Sequence, residues 1–304
     1  MAEPDRYLFV PDDTPPRDAL AGRRSVAFWS DVWRRFRQSG PAMTGMAILL
    51  LFIALAILAP MLSRYNYDQV DLLSTYQPPN ATHWFGTDAL GRDIWVAIWV
   101  GARVSLTVGL AAALCQMLIG VVIGCFSGLQ GGKTDMLLMR FVDIMIAIPF
   151  LIWVSLFMLI MSPGITSIVL AFALTQWTEI ARLVRGEVLK LKETEFIVAS
   201  RSMGASALRL IGRHFFPNIL PVVIVAVTFQ VTNAIFGEAF LSYIGLGIQP
   251  PLTSWGKLIA GGIKEMRDNP YLLIFPSIVI SATMLSLQLV GDGLRDATDP
   301  KLRR

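Results

Sequence analysis

Long stretches without a charged side chain constrain what this chain can fold into. Five stretches contain no Asp, Glu, Lys or Arg: residues 43–62, 104–132, 144–178, 215–237 and 269–291. A helix needs about 20 predominantly apolar residues to cross the hydrocarbon core of a bilayer. The third stretch is long enough for two such helices, and Ser162-Pro163-Gly164 divides it. The pattern therefore predicts helices that cross a membrane several times.

The overall composition agrees with a membrane protein. Hydrophobic residues make up 54% of the chain and charged residues only 16%, whereas soluble domains are about one quarter charged. The sequence predicts an all-α polytopic membrane protein, with residues 41–304 as its transmembrane domain. The six predicted spans are residues 43–62, 104–130, 138–161, 165–184, 217–241 and 270–291.

The distribution of basic residues predicts the orientation of the spans. An even number of spans puts both termini on one side, and that side carries 20 of the 26 Lys and Arg residues. Because basic loops stay in the cytoplasm, we expect both termini to be cytoplasmic. The net charge of +4 thus reflects topology and does not indicate nucleic-acid binding.

Two segments precede the first predicted span. Residues 1–24 are charged and proline-rich and lack the apolar core of a signal peptide, so we expect a disordered cytoplasmic tail. Residues 25–40 are predicted to form an amphipathic helix that lies in the headgroup layer. Its apolar stripe is Val26, Trp29, Trp33 and Phe36, and its basic side is Arg34, Arg35 and Arg37.

The segment between the first two predicted spans, residues 64–103, has no long apolar stretch. Within it, Gly86 and Gly91 permit tight turns, and Asp93 can cap a short helix. His83, Asp88 and Asp93 carry metal-ligand groups, but nothing else in the segment completes a site with them. We therefore predict no metal site here.

Glycines recur in the second predicted span, at Gly120, Gly124 and Gly128. Small residues four positions apart let two helices approach closely, so helix packing is the favoured role and pore lining is the alternative. The following GLQGGKT imitates a phosphate-binding loop, but it has one residue too few between its glycines and follows a membrane helix. We therefore expect this chain to bind neither ATP nor Mg²⁺, nor any other cofactor.

Charges beside the spans need partners, because an unpaired charge in a membrane is costly. Arg140 and Asp143 are three residues apart, and so are Glu179 and Arg182. Residues at that spacing are neighbours on a helix surface. We therefore expect each of these two sets to form a local ion pair.

The fifth predicted span has an unusually polar side. It includes Gln230, Asn233 and Glu238, and such a helix is expected to face a cavity or another subunit instead of lipid. These three residues are candidates for lining a translocation path. An interhelical hydrogen-bond network is the alternative.

The predicted cytoplasmic loop of residues 185–216 is basic and helical in pattern. Gly204 can end a first helix in a left-handed conformation, and Ser206 can cap a second. We expect a compact helix pair that fits a groove on a partner; the alternative is a connector folded against its own membrane domain. The apolar faces are Phe196, Ala199, Ser200 and Met203 on the first helix, and Leu208, Ile211 and Phe215 on the second.

This loop resembles the coupling segment of binding-protein-dependent ABC importer permeases. The family pattern is Glu-Ala-Ala, three residues, Gly, nine residues and Ile-x-Leu-Pro. Ala199, Gly204 and Pro217 fall on its register, while Val198 stands at the glutamate position. The resemblance implies contact with an ATPase subunit, and the candidate residues are Glu195, Ala199, Ser200, Met203, Gly204, Ala205 and Pro217.

Five segments in order carry a more specific resemblance, to the second permease subunit of dipeptide and oligopeptide importers. They are HWFGTDALGRDIW, GARVSLTVGL, ARLVRGEVLKLKETEFI, FLSYIGLGIQPPLTSWGKLI and GDGLRDATDPKLRR. This resemblance implies the type I permease fold of ABC importers. It also implies a multi-pass protein of the bacterial inner membrane.

The resemblance implies a non-catalytic subunit that forms half of a peptide path. The implied partners are a homologous second permease, two ATPase subunits that bind ATP and Mg²⁺, and a periplasmic or lipid-anchored solute-binding protein. Candidate residues for the outer gate or the binding-protein contact are Asp88, Arg92, Asp93, Gln249, Pro250 and Trp255.

Alternatives to peptide import remain open at the level of sequence. Nickel permeases also resemble this chain, so the same architecture with nickel or a metal chelate as solute is the first alternative. A self-contained channel or secondary transporter is a more distant one. It leaves the large cytoplasmic helix pair without a role.

Overall fold

The computed structural model describes residues 28–299, and within this range helices form nearly all of the regular structure. The predicted tail and the first residues of the predicted interfacial helix lie outside the described residues. The helices are α1 (Phe28–Gln38), α2 (Gly40–Leu62), α3 (Ile94–Gln130), α4 (Gly132–Ala147), α5 (Phe150–Met161), α6 (Ile165–Thr175), α7 (Trp177–Lys192), α8 (Glu195–Ser202), α9 (Ala207–Leu210), α10 (Phe216–Tyr243), α11 (Trp255–Lys264) and α12 (Tyr271–Thr298).

Five helical stretches among the described residues are long and apolar enough to cross a membrane. They are residues 40–62, 94–130, 165–192, 211–243 and 271–298. A sixth crossing requires α4 and α5 together, and these two helices meet at an 82° bend. The multi-pass all-α class is thus confirmed, while the count of six spans stays a prediction. The bend falls at Pro149, because proline disfavours helical geometry in the residue before it.

Two ends of the bundle are distinguished by the segments they carry. We name the ends after the predicted orientation: the inner end carries α1 and the segment of residues 193–215. The outer end carries residues 63–93 and 244–270. A cavity at the inner end is lined by Trp29 of α1, Pro217 of α10 and Arg295 of α12.

Helix α3 begins at Ile94, ten residues before the predicted second span. Asp93 caps it, since one carboxylate oxygen accepts a hydrogen bond from the Val96 amide at 2.9 Å. The predicted short helix and the predicted span are therefore one helix of 37 residues. Arg103 is accommodated within it because its guanidinium donates to the carbonyl oxygens of Ala56 and Ile57 on α2, at 2.6 and 3.1 Å.

The glycine stripe of α3 packs against α7, as the spacing predicts. A Cβ atom at Gly120 would lie 2.7 Å from Ile180 Cβ, and one at Gly124 would lie 2.5 Å from the Ala181 carbonyl oxygen. Gly128 is similarly close to Val188. The backbones approach so closely that a side chain at any of these positions displaces α7.

Replacing Gly124 with valine is expected to lower the free energy of unfolding by about 1–3 kcal/mol, the usual cost of overpacking a tight contact. Chemical unfolding in detergent measures this change. Gly186→Val is the matched control, because a Cβ at Gly186 on α7 meets nothing within 4 Å. Equal stability of the two variants would contradict the close contact.

Helix α1 docks on the bundle through Val32 and through Phe36, the last member of the predicted apolar stripe. Val32 and Phe36 are buried against α2 and α12, where they join Ala42, Val290 and Ala297 in one apolar cluster. Trp29 and Trp33 of the predicted stripe are about half exposed. The sequence places Phe36 on one apolar stripe with Trp29 and Trp33, because the pattern does not show which side chains the neighbouring helices cover.

The ion pairs near the spans also differ from the local pairs that the sequence predicts. Arg182 binds Asp143 of α4 at 2.5 Å, across 39 residues of sequence. Glu179 accepts a hydrogen bond from the Gln230 amide of α10 at 2.6 Å. The prediction of local pairs is thus wrong, because tertiary packing brings other helices closer than the next turn.

Candidate coupling segment, groove and outer surface

The predicted coupling loop is shorter than expected, because α7 continues through Lys192. Helix α8 ends at Ser202 in the motif that a left-handed glycine makes possible. Gly204 has a φ of +83°. Its amide donates to the Arg201 carbonyl oxygen at 3.0 Å, and the Ala205 amide donates to that of Ser200 at 3.1 Å. The chain therefore reverses tightly at the glycine that the sequence identifies.

The second helix of the predicted pair is α9, and it runs on into α10. Ser206 accepts a hydrogen bond from the Arg209 amide at 3.4 Å and begins the short helix α9. A single π-helical turn, Ile211–Phe215, then joins α9 directly to α10. The candidate coupling segment is therefore continuous with a spanning helix, without an intervening loop. The Leu208 side chain lies outside what the structure describes.

One side of the coupling segment is anchored to its own membrane domain. Ile197, Leu210 and Phe215 are fully buried in an apolar cluster with Leu129 of α3 and Val188 of α7. This cluster joins α8, α9 and α10 to the inner ends of two other helices. The connector alternative thus correctly describes this side of the segment.

The other side of the segment presents apolar groups to solvent. Phe196, Val198 and Met203 are exposed, and Met203 is 81% exposed. Glu195, Ala199 and Gly204 are also exposed, whereas Ser200 and Ala205 are partly buried. A Cβ at Gly204 would meet nothing within 4 Å in this chain. The segment therefore offers an exposed apolar surface on an anchored base.

Ion pairs make that base rigid. Arg185 of α7 donates two hydrogen bonds to Asp135 of α4, at 2.5 and 2.6 Å, and Ser127 of α3 donates to the same carboxylate. Lys192, the last residue of α7, donates to the Leu129 carbonyl oxygen at 2.9 Å. Bidentate Arg–carboxylate pairs fix relative orientation as well as distance. These contacts therefore fix α3, α4 and α7 relative to one another, and the coupling segment packs on α3 and α7.

Two of the candidate path residues lie in a groove between α7 and α10. This α7–α10 groove has a volume of about 190 Å³. Its lining residues are Glu179, Ile180, Leu183, Ala226, Phe229, Gln230 and Asn233. Asn233 is exposed, and Gln230 is buried with its amide on Glu179. Glu179 was not among the predicted path residues, because its spacing from Arg182 suggested a purely structural ion pair.

Glu238, the third candidate path residue, faces away from solvent. Its carboxylate is fully buried and accepts hydrogen bonds from the hydroxyls of Ser105, Ser242 and Ser254, at 3.1, 2.8 and 2.7 Å. The Gly256 amide also bonds to it. We therefore correct the path-lining prediction: Glu238 belongs to an interhelical network that joins α3, α10 and the start of α11.

The two candidate outer segments meet at the outer end. Arg92 binds Asp88 at 2.6 Å, and its guanidinium lies 5.9 Å from the centre of the Tyr67 ring. The Tyr67 hydroxyl in turn donates to the Pro251 carbonyl oxygen at 2.6 Å. This chain of contacts connects residues 86–93 with the exposed Gln249 and Pro250. Tyr67 carries the link, and no sequence motif identified it.

Both basic and acidic side chains lie on this surface, among them Arg92, Lys257 and Asp88. Lys257 donates to the Leu252 carbonyl oxygen at 2.8 Å. Partial burial, together with the positive charge of Arg92, lowers the pKa of Lys257. Asp88 offsets the charge of Arg92 by direct pairing. The outer surface thus has charged groups that are held in defined positions.

Two of the candidate outer residues are buried and cannot touch a partner directly. Asp93 caps α3 and binds His83 at 2.9 Å. Trp255 is fully buried, and its indole donates to the Ile98 carbonyl oxygen at 3.0 Å. We therefore correct their assignment as contact residues: they position the outer segments. No group of three metal-ligating side chains occurs among residues 28–299.

Family models and solved structures show which known proteins this chain resembles. The family model described as binding-protein-dependent transport system inner membrane component matches residues 120–304. A second model, the N-terminal TM domain of oligopeptide transport permease C, matches residues 27–79. The chain is also similar in fold to a chain from inward-facing crystal structures of the MetNI methionine ABC transporter, with a TM-score of 0.55 and 20% identity over 66% of this chain and 97% of that one. The fold is thus that of the membrane permeases of ABC importers.

Curated relatives narrow the class further. The chain is 47% identical to the oligopeptide transport system permease protein OppC of Bacillus subtilis (strain 168), over 98% of both sequences. It is 42% identical to the dipeptide transport system permease protein DppC of the same organism, over 99% of this chain and 97% of the relative. The chain belongs to the family of binding-protein-dependent transport system inner membrane components, as a permease of the oligopeptide permease C type.

Proposed function

We propose that this chain is the transmembrane permease subunit of an ATP-driven, binding-protein-dependent importer of dipeptides and oligopeptides. The observation that carries the proposal is the coupling segment, which is anchored on one side and exposes Phe196, Val198 and Met203 on the other. An exposed apolar helix surface of this kind fits a groove on a partner. The names of the relatives supply the substrate class.

The relatives do not favour the nickel alternative. OppC and DppC of Bacillus subtilis are an oligopeptide and a dipeptide transport permease by name, and each matches nearly the whole chain. A self-contained channel or carrier would leave the exposed coupling surface without a function. Peptide import accounts for both the relatives and that surface.

The proposed mechanism assigns all covalent chemistry to other subunits. Two ATPase subunits bind ATP and Mg²⁺ and hydrolyse the nucleotide, and this chain has no catalytic role and no cofactor of its own. Closure of the ATPases moves α8 and α9 as a rigid body. Because α9 continues into α10 through the π-helical turn, that movement shifts the wall of the path between this permease and a homologous second one.

The proposed location is the bacterial inner membrane, with both termini in the cytoplasm. The excess of basic residues at the inner end supports this orientation. A periplasmic or lipid-anchored solute-binding protein then docks at the outer end. The exposed side chains available to it include Gln249 and Pro250, and Asp88 and Arg92 are partly buried.

Co-purification in mild detergent, followed by reconstitution, tests this proposal. The tagged chain is expected to bring down a second permease and two ATPase subunits, and the reconstituted complex is expected to take up tripeptide only with binding protein and ATP. Omission of ATP is the matched control. A chain that purifies alone and passes peptide without ATP would instead support a channel or a secondary carrier.

A further inference from the structure

Among the described residues, no cation pairs with the carboxylate of Glu179. Its only hydrogen bond among the described residues is from the Gln230 amide, at 2.6 Å. Arg182, the nearest basic residue on α7, is bound to Asp143 at 2.5 Å. No Lys, Arg or His lies within ion-pair distance of Glu179 in the part of the chain that the structure describes.

The position of Glu179 is unusual for an unpaired charge. It lies within one of the stretches long enough to span a membrane, residues 165–192. At 1.5 Å of rise per residue, it is roughly 20 Å from the inner end of α7. The predicted span ends at residue 184, five residues beyond Glu179, and an ionisable residue within a spanning segment generally marks a pathway or a binding site. The described residues supply no cationic partner for this charge.

Two cavities meet at this carboxylate. One is the α7–α10 groove of about 190 Å³, which also contains Gln230 and Asn233. The other has a volume of about 310 Å³ and lies beside the bend between α4 and α5, where Pro149 and Gln176 line it. Glu179 is common to both linings. It is therefore accessible to a solute that moves along this side of the subunit.

We propose that Glu179 binds an ammonium group of the peptide during its passage. The inference rests on the proposed function of the chain as a peptide permease. The Gln230 amide holds one carboxylate oxygen and so fixes the direction of the group. The ammonium group comes either from a lysine side chain or from the amino terminus of the peptide, since both are hydrogen-bond donors with a positive charge.

A transport assay with three tripeptides distinguishes these sources. The complete importer is reconstituted with the wild-type chain, with Glu179→Gln or with Asp296→Asn, and the initial uptake of trilysine, trialanine and triglutamate is measured over a range of concentrations. The same binding protein delivers each peptide to every variant, so a difference between variants reports the permease. Asp296→Asn removes an exposed carboxylate near the end of α12 and is expected to match the wild type.

The expected result is a roughly tenfold rise in KM for Glu179→Gln, the change that about 1.4 kcal/mol produces. A rise confined to trilysine identifies the side-chain ammonium as the ligand. An equal rise for all three peptides, with an unchanged unfolding temperature of the complex, identifies the terminal ammonium.

Two other results would overturn the proposal. Unchanged uptake of all three peptides, or slower uptake together with a lowered unfolding temperature, would show that Glu179 serves the packing of the bundle or pairs with the second permease. If the wild-type complex took up no peptide at all, the proposed function itself would fail, and the ammonium site with it.

Discussion

Replacement of Gly204 by tryptophan is expected to abolish ATP-driven uptake, by roughly 100-fold or more, while the protein still reaches the membrane. The residue has a φ of +83°, and a Cβ there meets nothing within 4 Å in this chain. A large side chain therefore starts in open space in this chain and is expected to clash with a partner that covers the coupling segment. A loss of about 2.7 kcal/mol in the subunit contact corresponds to that factor.

Backbone strain and steric clash can be separated at this position. Asparagine tolerates the left-handed conformation better than other side chains do, so Gly204→Asn is expected to retain more uptake than Gly204→Trp. Gly132→Trp is the matched control, because Gly132 also has a positive φ, of +56°, and open space around its Cβ position. Wild-type uptake by Gly204→Trp would remove the coupling segment from the mechanism.

Truncation of Glu238 to alanine is expected to lower the free energy of unfolding by about 3 kcal/mol. The change leaves a cavity. It also leaves the hydroxyls of Ser105, Ser242 and Ser254 without their common acceptor, and a buried polar group without a partner costs about 1–3 kcal/mol. Chemical unfolding in detergent measures the loss.

The conservative variant Glu238→Gln separates the loss of hydrogen bonds at this carboxylate from the loss of side-chain volume. Glu238→Gln keeps the size of the side chain and one acceptor oxygen, so we expect a loss of about 1 kcal/mol. Uptake should fall further in Glu238→Ala, because Ser254 and Gly256 then no longer hold the start of α11 on α10 and α3. Equal stability of the alanine variant and the wild type would contradict the role of the carboxylate as a junction.

The elements that sequence predicts best are those with local causes. Gly204 occupies a left-handed conformation at the end of α8, and Asp93 caps a helix, because both features depend only on neighbouring residues. The contact of Gly124 with α7 was also predictable, since small residues at helical spacing have few other uses in a spanning helix. The site residues that followed from these signals are Gly204 and its neighbours in the coupling segment.

The parts of the candidate site that sequence reasoning assigned wrongly involve partners far apart in the chain. Glu238 appeared free to line a path because its serine partner Ser105 lies 133 residues away. Trp255 was predicted to contact a partner at the outer surface, but it is buried and its indole donates to the Ile98 carbonyl oxygen. Glu179 appeared to be paired with Arg182, whereas the two side chains contact different helices.

The sequence by itself determined the multi-pass helical class, the family and the reversal at Gly204, since apolar length, motif register and glycine geometry are local properties of the chain. Only the tertiary structure decided which polar groups face a cavity and which are buried. The side of a helix that faces a groove depends on the neighbours that cover its other sides. For α7 and α10, those neighbours come from distant parts of the chain, and they leave Glu179 accessible while enclosing Glu238.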